Sequence, residues 1–196
     1  MRHLLPAVVP ITVAVALAGC GINSVPASQE NAKAKWAEVQ NQYQRRADLI
    51  PNLVSTVKAA GAQEKAVLVE VTQARSAANS VRLSGDDLTD RTKLRAFAQA
   101  QGAVSLSLQR MQEAYPEIRS QARYADLMTS LEGTENRIGN ARRDYNVAVQ
   151  EYNTRIRTFP DAVGAKVIHG AKPLQPFEAV TPGAETAPRV DFGNAS

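Results

Sequence analysis

The sequence predicts an all-α protein: an up-and-down antiparallel bundle of about four long helices, preceded by a signal peptide and followed by an irregular tail rich in proline and glycine. Three observations predict this fold class. Between Pro26 and Pro160 the chain contains only two prolines, Pro51 and Pro116, as long helices require. Apolar residues recur there at spacings of three and four, the period of an amphipathic helix. No segment shows the convincing alternation of a strand.

The first twenty residues predict export and a lipid anchor. Residues 1–19 have a basic start, an uncharged apolar run from Leu4 to Leu17 and small residues after it, as in a signal peptide. A run of about 14 residues is shorter than the roughly 20 that span a bilayer. The sequence Leu-Ala-Gly-Cys at 17–20 resembles a bacterial lipobox. The match is specific because Cys20 is the only cysteine in the chain.

Cys20 is therefore predicted to carry the lipid that holds the protein to a membrane, with residues 20–28 as a lipid-anchored tether. Two alternatives remain open: an ordinary signal peptide with an incidental Cys20, or an uncleaved membrane anchor. Gly21 rather than Asp follows the cysteine. Resemblance to proteobacterial lipoproteins then favours the outer membrane of the cell envelope, facing the periplasm if the source is Gram-negative.

The predicted bundle spans residues 29–160, and its first arm has a coiled-coil-like seam. Twelve of fourteen seam positions are apolar or aromatic. Because the spacing does not slip at Pro51, we expect a kinked continuous helix there, although Asp48 could cap a new helix after a chain reversal. The seam positions are Trp36, Val39, Tyr43, Arg46, Ile50, Leu53, Val57, Ala60, Glu64, Val67, Val71, Ala74, Ala78 and Val81.

The later arms follow the same logic. Residues 83–87 predict a turn in which Asp86 and Asp87 suit the start of the next helix. The last helix is predicted from Pro116 to Phe159, where tyrosines, leucine, isoleucine and phenylalanine recur every seven residues from position 124. Residues 161–196 are predicted to be an irregular C-terminal tail, partly ordered at most, because prolines and glycines interrupt every pattern.

Composition argues against several classes of function. The net charge of +4 is too small and too dispersed to predict a nucleic-acid-binding protein. One cysteine excludes an intramolecular disulfide and any multi-cysteine metal site. The two histidines, His3 and His169, lie near opposite ends, so a histidine-based catalytic or metal site has no partners. We therefore expect no enzymatic activity, no cofactor and no metal.

Three stretches carry a resemblance to a known family. They are Gln-Arg-Arg-Ala-Asp-Leu-Ile-Pro-Asn-Leu-Val at 44–54, Leu-Glu-Gly-Thr-Glu-Asn-Arg-Ile at 131–138, and the segment 151–160 with its Glu-Tyr-Asn-Thr start and Phe-Pro end. Together they resemble the LemA family of bacterial envelope proteins. The resemblance implies a helical bundle outside the cytoplasmic membrane and no established biochemical activity. Many family members look anchored by a transmembrane helix, so this chain resembles a lipoprotein-type member.

Four charged residues interrupt the predicted apolar stripes: Arg46, Glu64, Glu135 and Arg142. A buried charge must pair or accept hydrogen bonds, because an uncompensated one costs several kcal/mol. We interpret them as a structural polar network, with an arginine against a glutamate. The alternative is an interior site for a ligand or metal, although no Glu-x-x-His spacing accompanies it.

Two tyrosine-asparagine pairs repeat seven residues apart, at Tyr145-Asn146 and Tyr152-Asn153. One interpretation is inter-helix hydrogen bonding and core packing, since a tyrosine can bury its ring while its hydroxyl finds a partner. The other is a face that binds a second envelope protein.

These observations predict a lipid-anchored, non-enzymatic binding or scaffolding module whose partners are the membrane and an envelope protein. The alternatives are a structural or stress-linked envelope spacer without a defined partner, and a small-molecule binder that uses the interior charges.

Overall fold

A computed structural model describes residues 5–61 and 64–178, and side chains within 23–61, 64–118 and 120–178. Every regular element in these ranges is helical. The α-helices are α1 (Leu5–Ala59), α2 (Lys65–Ser80), α3 (Arg91–Ala114), α4 (Ala122–Arg155) and α5 (Asp161–Val167). Two 3₁₀ turns, Asp86–Thr89 and Pro116–Ser120, precede α3 and α4.

The four long helices pack antiparallel in chain order. α2 folds back along α1, where Arg75 Nε donates to the Ala47 carbonyl over 2.7 Å. α3 returns along α2, and its Arg110 forms an ion pair with Glu70 near the start of α2. α4 packs most extensively on α1, whereas α3 packs mainly on α2. The all-α class and the bundle packing predicted from the sequence are confirmed.

The first chain reversal lies between the end of α1 at Ala59 and the start of α2 at Lys65, and not at Pro51. α1 continues through Pro51 to Ala59, so the expected continuous helix is what the structure contains. Gly61 follows with a φ of +86°, a conformation that glycine adopts without steric cost. The apolar spacing continues from α1 into α2 because each helix turns its own apolar face toward one shared core.

The start of α3 differs from the prediction that Asp86 and Asp87 cap it. Asp87 instead accepts hydrogen bonds from the amide and hydroxyl of Ser84, at 2.8 and 2.7 Å. Asp90 is the N-cap of α3, and its carboxylate accepts from two backbone N–H groups of the first turn. This cap satisfies donors that a helix start leaves without partners.

The core consists of two clusters along the bundle axis. We call the first the aromatic half and the second the aliphatic half. The aromatic half includes Trp36, Tyr43, Phe97, Tyr145, Tyr152 and Phe177. The aliphatic half includes Ile50, Leu53, Val57, Leu68, Val71, Val104, Leu108, Met111 and Leu131.

The packed domain begins earlier than residue 29. Residues 23–28 lie within α1 and do not form the predicted tether. Val25 is 1% exposed and belongs to the aromatic half, and the hydroxyl of Ser24 donates to Asp161 over 2.9 Å. The side chain of Cys20 and the predicted signal peptide lie outside the residues with described side chains. From residue 23 to residue 178, excluding 62, 63 and 119, no helix has the length and apolarity to cross a membrane.

The prediction of an irregular tail from residue 161 is wrong for its first part. Residues 161–167 form α5, which packs on α1. Residues 171–178, which we call the strap, have no regular secondary structure but bury Leu174 and Phe177. Burial of these two side chains favours an ordered segment. Residues 179–196 lie outside the described residues, and the irregular tail stays a prediction there.

Candidate functional site

The strap lies along one face of α4, where two asparagines hold its backbone. Asn146 Nδ2 donates to the Phe177 carbonyl at 3.0 Å, and Asn146 Oδ1 accepts from the Phe177 amide at 2.7 Å. Asn153 makes the same pair of bonds with Leu174, at 2.8 and 2.9 Å. Each carboxamide therefore satisfies both backbone polar groups of one strap residue, so the strap needs no partner strand.

The two tyrosines complete this arrangement. The Tyr145 hydroxyl donates to the Gln175 carbonyl at 2.8 Å, and the Tyr152 hydroxyl donates to the Lys172 carbonyl at 3.1 Å. Both tyrosines are fully buried, and burial raises their pKa values above the usual range for tyrosine. Both hydroxyls therefore stay protonated, and remain donors, to a higher pH than an exposed tyrosine does.

The spacing of the two partners explains the register. The paired residues are seven apart on α4, a rise of about 10.5 Å at 1.5 Å per residue. Their partners are three apart on the strap, and three residues of extended or polyproline II chain span about 10 Å. Pro173 and Pro176 share that three-residue period and favour an extended chain. Seven residues along α4 thus cover about the same distance as three residues along the strap.

The face formed by Tyr145, Asn146, Tyr152 and Asn153 is therefore covered by the chain itself. The interpretation of this face as a surface that binds a second protein is therefore wrong, because the strap occupies it. The packing interpretation identified the right bonds but not their partner, which is the strap and not another helix. The signal that could have found it is the period of three in Pro173, Leu174, Pro176 and Phe177.

Arg46 lies between the aromatic and aliphatic halves and is 2% exposed. Its guanidinium donates four hydrogen bonds, and it also lies 5.0 Å from the centre of the Tyr43 ring. Two bonds reach the carbonyl and side-chain oxygens of Gln101, at 3.0 and 2.6 Å. The others reach Ser105 and Glu135, both at 2.8 Å. The buried charge is thus satisfied by α3 and α4, as a structural network requires.

The other two charged candidates do not join this network. Glu64 is exposed at the start of α2, and its backbone carbonyl accepts from the Tyr115 hydroxyl at 2.6 Å. Arg142 stacks on Phe177, with its guanidinium carbon 4.2 Å from the ring centre. Within the described part of the chain, Arg142 forms no ion pair.

A groove of about 590 Å³ separates α3 from α4. Arg46 and Glu135 lie in it together with Tyr43, Arg142 and Phe177. On the α3 side the lining includes Gly102, where an added Cβ would have no other atom within 4 Å. Leu106 is half exposed beside it, so the groove combines a charged floor with an apolar rim.

The electrostatics of the groove are positive. Glu135 offsets the charge of Arg46, which leaves Arg142 without a paired carboxylate. Burial raises the pKa of Tyr43, against the opposing effect of Arg142 and Arg46. A neutral tyrosine, a guanidinium without a paired carboxylate and an aromatic ring suit an acidic, partly apolar ligand.

Among the described residues, no three histidine, cysteine, aspartate or glutamate side chains come together in a way that could hold a metal ion. The groove contains one glutamate, and its contact with Arg46 already uses one of its oxygens.

The sequence matches the LemA family model over residues 35–192. This range includes all four long helices from Lys35 onward, the groove and the strap. The chain belongs to the LemA family.

Curated relatives of this LemA-family chain are magnetosome proteins. Magnetosome protein MamQ 2 of Paramagnetospirillum magneticum is 29% identical over 157 residues, which cover 70% of this chain and 58% of the relative. Magnetosome protein MamQ of Magnetospirillum gryphiswaldense is 27% identical over the same length, with the same coverage. The LemA-family chain thus spans somewhat more than half the length of these relatives.

Proposed function

We propose that this LemA-family protein is a non-enzymatic binding module of the bacterial envelope, held to the membrane by lipid on Cys20, and that its protein partner docks in the groove between α3 and α4. The observation that carries the proposal is the Arg142–Phe177 stack at the groove, whose guanidinium has no ion-pair partner among the described residues. The partner we propose is a helical segment that bears a carboxylate.

The shape of the groove supports a helical partner. α3 packs mainly on α2 and α4 mainly on α1, so the two walls of the groove are not pulled together. Two antiparallel helices with a gap between them accept a third helix, which would bury its apolar side against Leu106. Its carboxylate would then lie against Arg142, where a charge-assisted hydrogen bond forms.

The interior charges favour this proposal over a small-molecule site. Arg46 donates all four of its terminal N–H groups to Gln101, Ser105 and Glu135. A ligand that competed for these bonds would have to leave buried polar groups unsatisfied, at a cost of about 1–3 kcal/mol each. Arg142, which stacks on Phe177 and has no paired carboxylate in the described part of the chain, is the cation that we propose the partner engages.

The anchor is tested by acyl labelling in cells. We expect Cys20→Ala to leave the chain unprocessed and to abolish incorporation of labelled fatty acid, because the cysteine sulfur is the acceptor. Unchanged processing and labelling would contradict the lipid anchor.

The groove is tested by site-specific photocrosslinking in intact membranes. A photoreactive amino acid at Leu106 should give a discrete crosslinked product, and the same amino acid at Val147, which is 54% exposed on α4 away from the groove lining, should not. Gly102→Leu should abolish the product, because it adds a large side chain at the groove at a position where a Cβ meets no other atom within 4 Å. Gly139→Leu is the matched control, since its Cβ also meets open space.

The charge of the partner is tested in the same assay. Arg142→Glu should remove the product, whereas Arg143→Glu, at the exposed neighbouring position, should keep it. A product at Leu106 that survives both Gly102→Leu and Arg142→Glu, or no product at all across growth conditions, would overturn the proposal.

A further inference from the structure

Exposed large apolar side chains concentrate at one end of the bundle. Three others, on α2, α3 and α4, occur singly, as is normal for a protein surface. Among the described side chains, the other four lie within ten residues of one another, from the turn after α4 to the residue that follows α5. They are Phe159 (78% exposed), Val163 (54%), Val167 (78%) and Ile168 (58%).

The pattern of α5 is the reverse of an ordinary surface helix. Its buried residues are small, Gly164 and Ala165, and they pack against α1. Val163 and Val167 are four residues apart, so they share one outward face. A surface helix normally turns its large apolar residues inward, which indicates that this face meets something other than water.

Basic residues surround this apolar face. Residues 155–172 contain four Lys or Arg and one acidic residue, Asp161. Asp161 is already held by the Ser24 hydroxyl and by Arg155, at 2.9 and 3.3 Å. Arg157 and Lys166 are exposed. An apolar face with a rim of cations is typical of a surface that lies in the interface of an anionic membrane.

The position of this face along the chain identifies the membrane side of the molecule. The bond between Ser24 and Asp161 fixes α5 beside the first side chains described in α1. Ser24 follows Cys20, the proposed site of the lipid, by four residues, about 6 Å along a helix. A bilayer that holds the start of the chain would therefore lie next to α5.

We propose that Phe159, Val163, Val167 and Ile168 form a second membrane contact, which docks the end of the bundle onto an anionic lipid surface and sets its orientation. The inference rests on the membrane location in the proposed function but does not involve the groove. The lipid on Cys20 holds the protein near the bilayer, and the α5 face then holds the bundle in one orientation.

The experiment places a tryptophan in this face and asks whether lipid quenches its fluorescence. The full chain carrying Val167→Trp is reconstituted in phosphatidylcholine–phosphatidylglycerol vesicles with brominated acyl chains. Trp36 is the only native tryptophan and is 2% exposed in the core, so the unmodified chain supplies the background. Val69→Trp, at a half-exposed valine near the opposite end of the bundle, is the matched control.

We expect the Val167→Trp variant to show blue-shifted emission and strong quenching, and the Val69→Trp variant to show neither. Adding Lys166→Gln to Val167→Trp should lower the ratio of docked to undocked bundle about fivefold, whereas adding Lys65→Gln should not. Equal quenching of the two tryptophan variants, or no quenching of either, would overturn the proposal. Because the groove is not involved, loss of the Leu106 crosslink would leave this quenching unchanged.

Discussion

The aromatic and aliphatic halves of this bundle are closed in different ways. In the aliphatic half, the four long helices and the turns that join them cover one another with leucine, isoleucine and valine. In the aromatic half, the ring of Phe177 from the strap lies 6.2 Å from Trp36, and 6.4 Å from both Tyr43 and Phe97, between ring centres. The strap supplies part of that core.

This difference shows what the repeated tyrosines and asparagines accomplish. Heptad positions in the aliphatic half need only apolar side chains, because their partners are other helices. The two pairs in the aromatic half hold an extended segment, whose backbone polar groups would otherwise be buried without partners. The same helix α4 therefore carries two kinds of surface, one for helices and one for the strap.

Removal of the strap should have the largest effect on stability and should destabilise the aromatic half more than the aliphatic half. A chain that ends at Gly170 loses the burial of Leu174 and Phe177, which we expect to cost about 5 kcal/mol or more. Hydrogen exchange should show loss of protection around Trp36 and Tyr145 before it does around Leu53. Chemical denaturation measures the total loss.

A chain that ends at Glu178 is the control for that truncation. It keeps the whole strap, so its unfolding midpoint should match that of the full chain. Equal loss of protection in both halves of the Gly170 chain would show that the strap is not specific to the aromatic half.

Arg46→Ala should have the next largest effect, because Arg46 joins the two halves. The substitution leaves a cavity and removes a buried partner from Gln101, and we expect a loss of about 3 kcal/mol. The value lies at the lower end for a buried pair because Glu135 is 44% exposed and can be solvated. Arg45→Ala, at the exposed neighbouring position, should change the free energy of unfolding by less than about 0.5 kcal/mol.

Sequence periodicity predicts the bundle well because the residues that pack between helices recur at spacings of three and four along the chain. The seam at positions such as Val39, Ile50, Leu53 and Val57 is buried as expected. Arg46 and Glu135 could be predicted as members of a polar network, because a charge in an apolar stripe must find an opposite charge. The sequence did not distinguish this pair from the pairings with Glu64 or Arg142, because both of those residues also interrupt apolar stripes. The reversal between α1 and α2 could not be predicted, because the apolar spacing continues from one helix into the next.

The strap, by contrast, has no helical or alternating period. Its ordering depends on Asn146 and Asn153, which are more than twenty residues away in the chain and whose bonds are specific to backbone groups. Leu174 and Phe177 stand between prolines, a context that indicates an irregular tail when read alone. The burial of Leu174 and Phe177 could be predicted only by comparing the seven-residue spacing on α4 with the three-residue spacing on the strap. That comparison requires both segments to be considered together.

Asn153→Ala tests the contribution of a single side chain that holds the strap. It removes two hydrogen bonds and leaves the Leu174 amide and carbonyl without partners, so we expect a loss of about 2 kcal/mol. Asn140→Ala, at an exposed position on the same helix, should lose less than about 0.5 kcal/mol. Urea denaturation of both variants measures the difference, and equal losses would remove asparagine bonding from the account.

The pH dependence of stability should show the smallest effect. Burial raises the pKa of Tyr145 and Tyr152 above that of an unfolded tyrosine, about 10. The folded state therefore keeps these protons longer, and the stability they contribute is full below about pH 10 and falls as the pH rises above it. Unfolding midpoints across this range should fall less steeply for Tyr145→Phe, and an unchanged slope would contradict burial of the ionisable hydroxyl.

Amide hydrogen exchange at Leu174 and Phe177 in the full chain tests most directly whether the strap is part of the folded core. Both amides donate to asparagine side chains at 2.9 and 2.7 Å, so we predict exchange as slow as that of buried amides in α4. Exchange at the rate of an unstructured peptide would contradict the account, because the aromatic half would then be open.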